Sequence, residues 1–467
     1  MTPLWTRDQA VAATEGKCRQ DWQATGVSID TRTLQKGDIY VALSASRDGH
    51  DFIGDAFEKG AAAALVSYIP DGFCDFPLLV VADVLTGLEA LGKAARARCK
   101  AQVVAITGSV GKTGSKEMLR HALAGQGKLH VAEKSYNNHE GVPLTLARMP
   151  VDAEFAIIEI GMNHPGEIAP LAQMARPHVA MITTVAPVHL AAFANVRDIA
   201  REKADIFKGL ETGGIAVLNA DLPDFDVLKQ VAGANIITFG KSADFSLGKV
   251  DLVQGATIVS AQHLGENFVF KLNAPGKHLA MNALAVLAVV DALNADPARA
   301  VLGLGDWRPQ LGRGAKSKIL LGPAGIDGSF DLVNESYNAN PASVGAALDV
   351  LATAPGRRIA VLGDMLELGS ASGDLHKAIA KLDSIDKIDV IHCTGPLMQQ
   401  LYSELPAGKR GLSCGDSGDM AAIMARQIRA GDVVMVKGSL GMKMVKIVDA
   451  LENMGEATGL VENSGKT

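Results

Sequence analysis

Residues 103–124, VVAITGSVGKTGSKEMLRHALA, run from an apolar strand through a short glycine-containing turn straight into a helical pattern. A strand that passes directly into a helix pairs in parallel with its neighbours, and the helix folds back to cover the sheet. The same alternation continues along nearly the whole chain. In the first hundred residues the strands are DIYVAL (38–43), AAALVS (62–67) and PLLVV (77–81), followed by the helix LTGLEALGKAARARCK (85–100) with its basic last turn. A second series comprises VVAIT (103–107), FAIIEIG (155–161), VAMITTV (179–185) and IAVLN (215–219). A small β excursion over 236–275 leads to a helix around 278–292. A third series is RIAVLGD (358–364), VIHCTG (390–395) and VVMVKG (433–438). The pattern predicts an α/β fold of three domains, about 1–100, 101–312 and 313–467. The Gly- and Lys-rich stretch 312–332 reads as an interdomain passage, and the tail after about 455 as disordered.

Composition excludes several functional classes. With a formal net charge of −6, broad electrostatic attraction to nucleic acid or an anionic membrane is not expected. The five cysteines (Cys18, Cys74, Cys99, Cys393, Cys414) form no C-x-x-C pair, against a disulfide framework or a zinc knuckle. The N-terminus has no secretory signature, and ALAVLAVV (283–290) is far short of a bilayer span. A cytoplasmic protein without stable membrane insertion is expected.

A standard phosphate loop reads G-x-x-x-x-G-K-[ST]; here the first glycine is Gly108, two residues later than that spacing requires. The chemistry is intact. Gly108, Ser109 and Gly111 give a phosphate close access to backbone N–H groups at a helix start. Lys112 supplies a point charge for the β- and γ-oxygens of ATP, and Thr113 a hydroxyl for Mg²⁺. Glu159 ends a strand expected beside the loop's own, where a carboxylate can hold Mg²⁺. His189 lies at the carboxyl edge of the same sheet, in reach of a second Mg²⁺. His278 and Asn282, four apart, share a helix face.

The shortened loop T-G-[ST]-x-G-K-T, here Thr107, Gly108, Ser109, Val110, Gly111, Lys112 and Thr113, resembles that of the Mur ligase family, the ATP-dependent ligases that build the peptidoglycan stem peptide. SYNNHEGVPLT (135–145), EIGMNHPGEI (159–168) and NESYNANPASV (334–344) resemble the family member that adds D-alanyl-D-alanine to UDP-N-acetylmuramoyl-tripeptide. Residues 28–66 resemble the family's uridine-nucleotide domain, and the likeness covers about 1–450. It implies an N-terminal UDP-binding α/β domain, a central P-loop-type ATPase domain with a mostly parallel sheet, and a C-terminal Rossmann-like domain.

The resemblance also implies site roles. Lys203 would be carbamylated and join His189 as a metal ligand, while Asn282 would reach the adenine and Arg313 the γ-phosphate. Asp30, Thr31, Arg32, Arg47 and Asp48 would lie near UDP, Asn137 and Asn138 near the linked peptide, and Tyr337, Asn338 and Asn340 near the dipeptide. Glu335 would sit by the nucleotide, one methylene longer than the family's usual Asp. Two further departures are Leu279, in the place of the family's first helical asparagine, and Gly114, where Ser or Thr is common. ATP and Mg²⁺ are the implied cofactors. A monomer that closes around ATP, the UDP-tripeptide and the dipeptide, and reacts through an acyl phosphate, is the resulting expectation. A sister ligase adding a single amino acid, and a P-loop kinase or NTPase, remain as alternatives.

Overall fold

A computed structural model describes residues 3–458 except 45, 234 and 254. Three sheets follow one another along the chain, beside a two-residue pairing of Trp5–Thr6 with Gln23–Ala24. The first is four-stranded and parallel, with Gly26–Ser28, Asp38–Val41, Ala63–Val66 and Leu78–Val80 in sequence order.

The central sheet has nine strands. Gln102–Thr107 lies between Phe155–Glu159 and Val179–Ile182, parallel to both. The alternation of Val103–Ile106 shows why this stretch is apolar at each position. Val104 and Ile106 enter a layer built with helices Lys112–Ala122 and Lys277–Ala292. Val103 and Ala105 enter the opposite layer with Gly141–Ala147, Ile168–Ala175 and Val196–Ala204. Both faces are covered, so both sets of side chains must be hydrophobic. The expected β excursion extends this sheet: Ile236–Gly240 continues the parallel order, and Phe245–Val253, Ala256–His263 and Glu266–Leu272 finish it, the last two pairings antiparallel. ALAVLAVV lies inside Lys277–Ala292, all eight of its residues buried in this core. Among the described residues, no helix is long and apolar enough to cross a membrane.

The third sheet orders its strands Arg410–Cys414, Val390–Thr394, Arg357–Gly363, Asp432–Lys437, Ser329–Glu335, Ala315–Leu321 and Gly455–Thr458. Two expectations are corrected here. The stretch 312–332 is no simple passage, because Ala315–Leu321 and Ser329–Glu335 form an antiparallel pair whose inward residues include Ser317, Ile319, Phe330 and Leu332. Its glycines mark the turn between two half-buried strands. The tail, expected to be disordered from about 455, begins as a strand: Gly455–Thr458 pairs antiparallel with Lys318–Leu321. Residues 459–467 lie outside the described residues.

Helix Gly141–Ala147 fastens the first sheet to the central one. Leu144 and Ala147 pack into the N-terminal core, and Val142 and Leu146 into the central core. The Trp5 indole N–H donates to Ala147 O at 2.9 Å, and Arg148 Nε donates to Val27 O at 2.5 Å.

Candidate active site

The carboxyl ends of six strands, four from the central sheet and two from the C-terminal sheet, open onto one cavity of about 600 Å³. Open α/β sheets place ligands at this edge, where loops leave the strands and helix N-termini point inward.

The phosphate loop forms one wall. Gly108 has φ 151°, and a Cβ there would collide with the Thr183 hydroxyl. That hydroxyl donates to Val110 O at 2.6 Å and holds the loop to the neighbouring strand's end. Ser109 makes a second attachment, its N–H donating to Thr184 O at 2.8 Å and its hydroxyl to Ala186 O at 3.1 Å. Gly111, at φ 87°, immediately precedes helix Lys112–Ala122, and its would-be Cβ would press on the Asn282 amide at 3.0 Å. Only glycine suits both positions.

Lys112 turns back on its own loop, with Nζ donating to Gly108 O at 2.7 Å. Desolvation lowers its proton affinity, the Glu159 charge raises it, and Arg313 lowers it again. Thr113 Oγ1 donates to Glu159 Oε1 at 3.1 Å and lies 3.0 Å from Ser135 Oγ. Asn137 Nδ2 donates to the same Glu159 oxygen at 2.8 Å. The other oxygen, Glu159 Oε2, is buried without a hydrogen-bond partner. A hydroxyl beside an unpartnered buried carboxylate oxygen is the donor set that a hard divalent cation takes. The residues present therefore fit Mg²⁺.

His189 also lines the cavity, with Nδ1 2.7 Å from Glu367 Oε2 of the C-terminal sheet's domain. Burial lowers its proton affinity, the Glu367 charge opposes this, and the Lys203 and Lys112 charges add to the lowering. Lys203 is 1% exposed and is absent from the cavity lining. Burial first, and then the charge of Lys112, holds its pKa well below the usual lysine range, against the pull of Glu202. The Glu202 carboxylate is committed elsewhere, accepting from Gly166 N at 2.7 Å and Ile168 N at 3.0 Å.

The opposite wall comes from the third sheet. Arg313 stacks its guanidinium on Tyr337 at 3.9 Å and donates from Nη2 to Ser135 Oγ at 3.3 Å. It thus touches the chain beside Thr113 while resting on the ring of the SYNANP segment. Glu335 and Lys437 end adjacent strands and pair at 3.0 Å. His278 and Leu279 line both this cavity and an adjoining one of about 330 Å³, whereas Asn282 lines the first beside Gly111. Gly114 also faces the main cavity.

Other predicted residues are engaged differently. Asn138 Oδ1 accepts from Gly141 N at 2.8 Å and Glu140 N at 3.3 Å. Asn340 caps helix Pro341–Leu351 through the Ser343 N–H. Asn338 Oδ1 accepts from Ala339 N at 2.8 Å. All three still line the cavity. The uridine candidates stand apart from it. Arg32 grips Asp30, which the resulting hydrogen bond acidifies despite some desolvation; Thr31 O accepts from Lys59. Arg47 lies over the Phe52 ring at 5.5 Å. Asp48 accepts from the N–H and ring of His50 and from Tyr68 Oη, contacts that hold it far below the usual carboxylate range. Asp30 and Asp48 both face Tyr40, whose phenol burial and these charges push up to about 12.

Sequence reasoning missed Ser135, Thr183, Glu367 and Lys437. Ser135 and Lys437 lay within quoted motifs, and a lysine ending the apolar run VVMVKG is itself a signal. Glu367 gave none.

Comparison with known proteins agrees with this geometry. The family description "Mur ligase middle domain" matches residues 106–290, and "Mur ligase, glutamate ligase domain" matches 325–440. The UDP-N-acetylmuramoyl-tripeptide–D-alanyl-D-alanine ligase of Escherichia coli is 34% identical over 92% of this chain and 94% of its own length. A crystal structure of MurF from Acinetobacter baumannii aligns with a TM-score of 0.85 at 27% identity, over 97% of this chain and 99% of that one. MurF ligase from Thermotoga maritima in complex with ADP aligns at 0.76 and 26% identity, over 92% and 97%.

Proposed function

The chain belongs to the Mur ligase family, and from that premise we propose that it joins D-alanyl-D-alanine to UDP-N-acetylmuramoyl-tripeptide at the expense of ATP, releasing ADP and phosphate. One observation carries the reading beyond nucleotide binding. The phosphate loop and the SYNANP segment come from different sheets yet line the same cavity, and Arg313 touches both sides. A kinase or NTPase has no use for that second wall.

The chemistry follows from the poor electrophilicity of a carboxylate. The tripeptide's terminal carboxylate attacks the γ-phosphorus of ATP, forming an acyl phosphate as ADP departs. The dipeptide amine then attacks the acyl carbon, loses a proton, and the tetrahedral intermediate collapses with departure of inorganic phosphate. Lys112 and Arg313 stabilise charge on the transferring group, and the loop amides hold the β-phosphate. Thr113 and Glu159 would hold Mg²⁺, which when bound offsets the repulsion between carboxylate and triphosphate. Lys203, whose proton affinity is lowered by burial, is the kind of amine to which CO₂ adds once its proton is lost. As a carbamate it would join His189 around a second cation.

Asn282, beside Gly111, is assigned to the adenine and Glu335 to the ribose side of the nucleotide. Asn137 and Asn138 are assigned to the linked peptide, and Tyr337, Asn338 and Asn340 to the dipeptide. Asp30, Thr31, Arg32, Arg47 and Asp48 are assigned to the UDP end. The domains fall at about 1–100, 101–312 and 313–467, and the enzyme works as a cytoplasmic monomer.

Phosphate release measured with ATP and Mg²⁺, leaving out the UDP-tripeptide or the dipeptide in turn, tests this. Release that requires both supports the ligase; release with neither supports an NTPase. Hydroxylamine should trap the acyl phosphate when the UDP-tripeptide is present.

A further inference from the structure

His189 and Glu367 belong to different domains, and both adopt left-handed backbone conformations, at φ 53° and 64°. Non-glycine residues seldom do so, and such positions persist where the surroundings hold them. Here the two segments are pressed together. Glu367 Oε2 lies 2.7 Å from His189 Nδ1, and Ala191 N donates to Glu367 O at 3.3 Å. A Cβ on Gly369 would come within 3.0 Å of Leu190 O.

The C-terminal side of this contact is firmly anchored. Met365 N donates to His376 Nε2 at 3.0 Å, and Leu366 N donates to Ser439 Oγ at 2.9 Å. Met365 and Leu368 are buried in the domain's core. Glu367 is therefore presented from a fixed turn, as the one charged residue of Met365–Leu368. On the other side, engagement of Nδ1 by a carboxylate sets the imidazole tautomer and leaves Nε2 as the ring nitrogen for the cavity that His189 lines. Ligating histidines ordinarily donate their other ring N–H to a carboxylate, a backbone carbonyl or water. In this protein the carboxylate arrives from the other domain.

We propose that Glu367 is a positioning residue for His189, so that the histidine is correctly set only while the C-terminal domain is docked on the central one. This rests on the ligase reading and deepens it: docking would complete the acyl-phosphate site as well as deliver the dipeptide. Glu367 touches no reacting atom.

The test uses the full chain with Glu367→Ala and Glu367→Gln. Turnover is measured alongside Mn²⁺ binding, followed by electron paramagnetic resonance with a non-hydrolysable ATP analogue and UDP-tripeptide. Glu367→Ala should lower kcat about 10- to 100-fold, a typical effect of removing such an orienting carboxylate, and weaken Mn²⁺ binding. KM for ATP should stay within about threefold, because the phosphate loop is untouched. Glu367→Gln, whose amide oxygen still accepts from Nδ1–H, should retain most of both properties, and it keeps the test decisive if the alanine variant does not fold. Unchanged kcat and Mn²⁺ binding in Glu367→Ala, or a loss confined to KM, would overturn the proposal. Absence of ligase turnover in the wild type would instead sink the ligase reading, while the Mn²⁺ comparison still decides the role of Glu367.

Discussion

Glu335 and Lys437 stand directly opposite one another on adjacent parallel strands, with Nζ 3.0 Å from Oε2. The Lys437 side chain is 3% exposed and donates also to Asn338 O at 3.0 Å. One buried ammonium thus ties the end of a strand to the loop that follows it. Lys437→Met would leave a part-buried carboxylate and a carbonyl without their donor. A loss of about 2 kcal/mol in denaturant unfolding is expected, together with a higher KM for the dipeptide. Glu335→Asp withdraws the carboxylate by about 1.5 Å, one C–C bond, and should cost about 1 kcal/mol once partial exposure of Glu335 is allowed for.

Lys112 is held by its own loop at Gly108 O. Its replacement should not unfold the loop, which is fixed independently through Thr183 and Ser109. Lys112→Ala should lower kcat by at least about 10²–10³-fold, the range for losing one preorganised group that stabilises transition-state charge. Thermal unfolding should be little changed. Near-normal steady-state phosphate release would refute the assignment.

Asn340 has two candidate employments, and they separate cleanly. Its side chain accepts the Ser343 N–H as helix cap, and the residue lines the cavity. Asn340→Ser keeps a capping oxygen; Asn340→Ala removes it at a cost of about 1 kcal/mol. If the dipeptide is touched by Asn340, KM for it rises in both variants. If the cap is the whole role, Asn340→Ser behaves as wild type in stability and KM alike.

His392 makes stability depend on acid. Its ring is 1% exposed, and burial, helped by the Arg357 charge, lowers its pKa from about 6.5 to about 4. Nδ1 accepts from Leu412 N at 2.8 Å, as only an unprotonated nitrogen can. Between pH 6.5 and 4 the unfolded chain binds a proton that the folded chain does not, so stability falls as pH falls through that window. The loss should approach about 3 kcal/mol near pH 4. His392→Asn keeps an acceptor for Leu412 N but cannot titrate, and urea unfolding at several pH values should show a shallower acid slope. An identical slope would refute this origin.

The layering of the central domain was legible because parallel strands buried on both faces are apolar on both, as in Val103–Ile106. The phosphate loop was legible because its glycines meet steric demands written into one short segment. What escaped was whatever depends on packing between segments a hundred or more residues apart. Glu367 is an ordinary loop glutamate until the fold puts it beside His189. Lys437 looked like a strand's polar end, and only the register against Glu335 gives it a partner. Asn138 and Asn340 show the converse limit: the same turn chemistry that makes asparagine common in loops occupies their side chains with backbone N–H groups. Ala315–Leu321 was misread because its glycine- and lysine-rich surroundings masked a two-residue alternation.

That strand has a mechanical implication. It begins two residues after Arg313 and is clasped on one side by Ser329–Glu335 and on the other by Gly455–Thr458. Slack in the outer clasp would travel along the strand to the guanidinium. Trimming the chain at 454, or pulling on it there with a bulky fusion, should therefore blunt catalysis from the far rim of the sheet while leaving the phosphate loop itself in place.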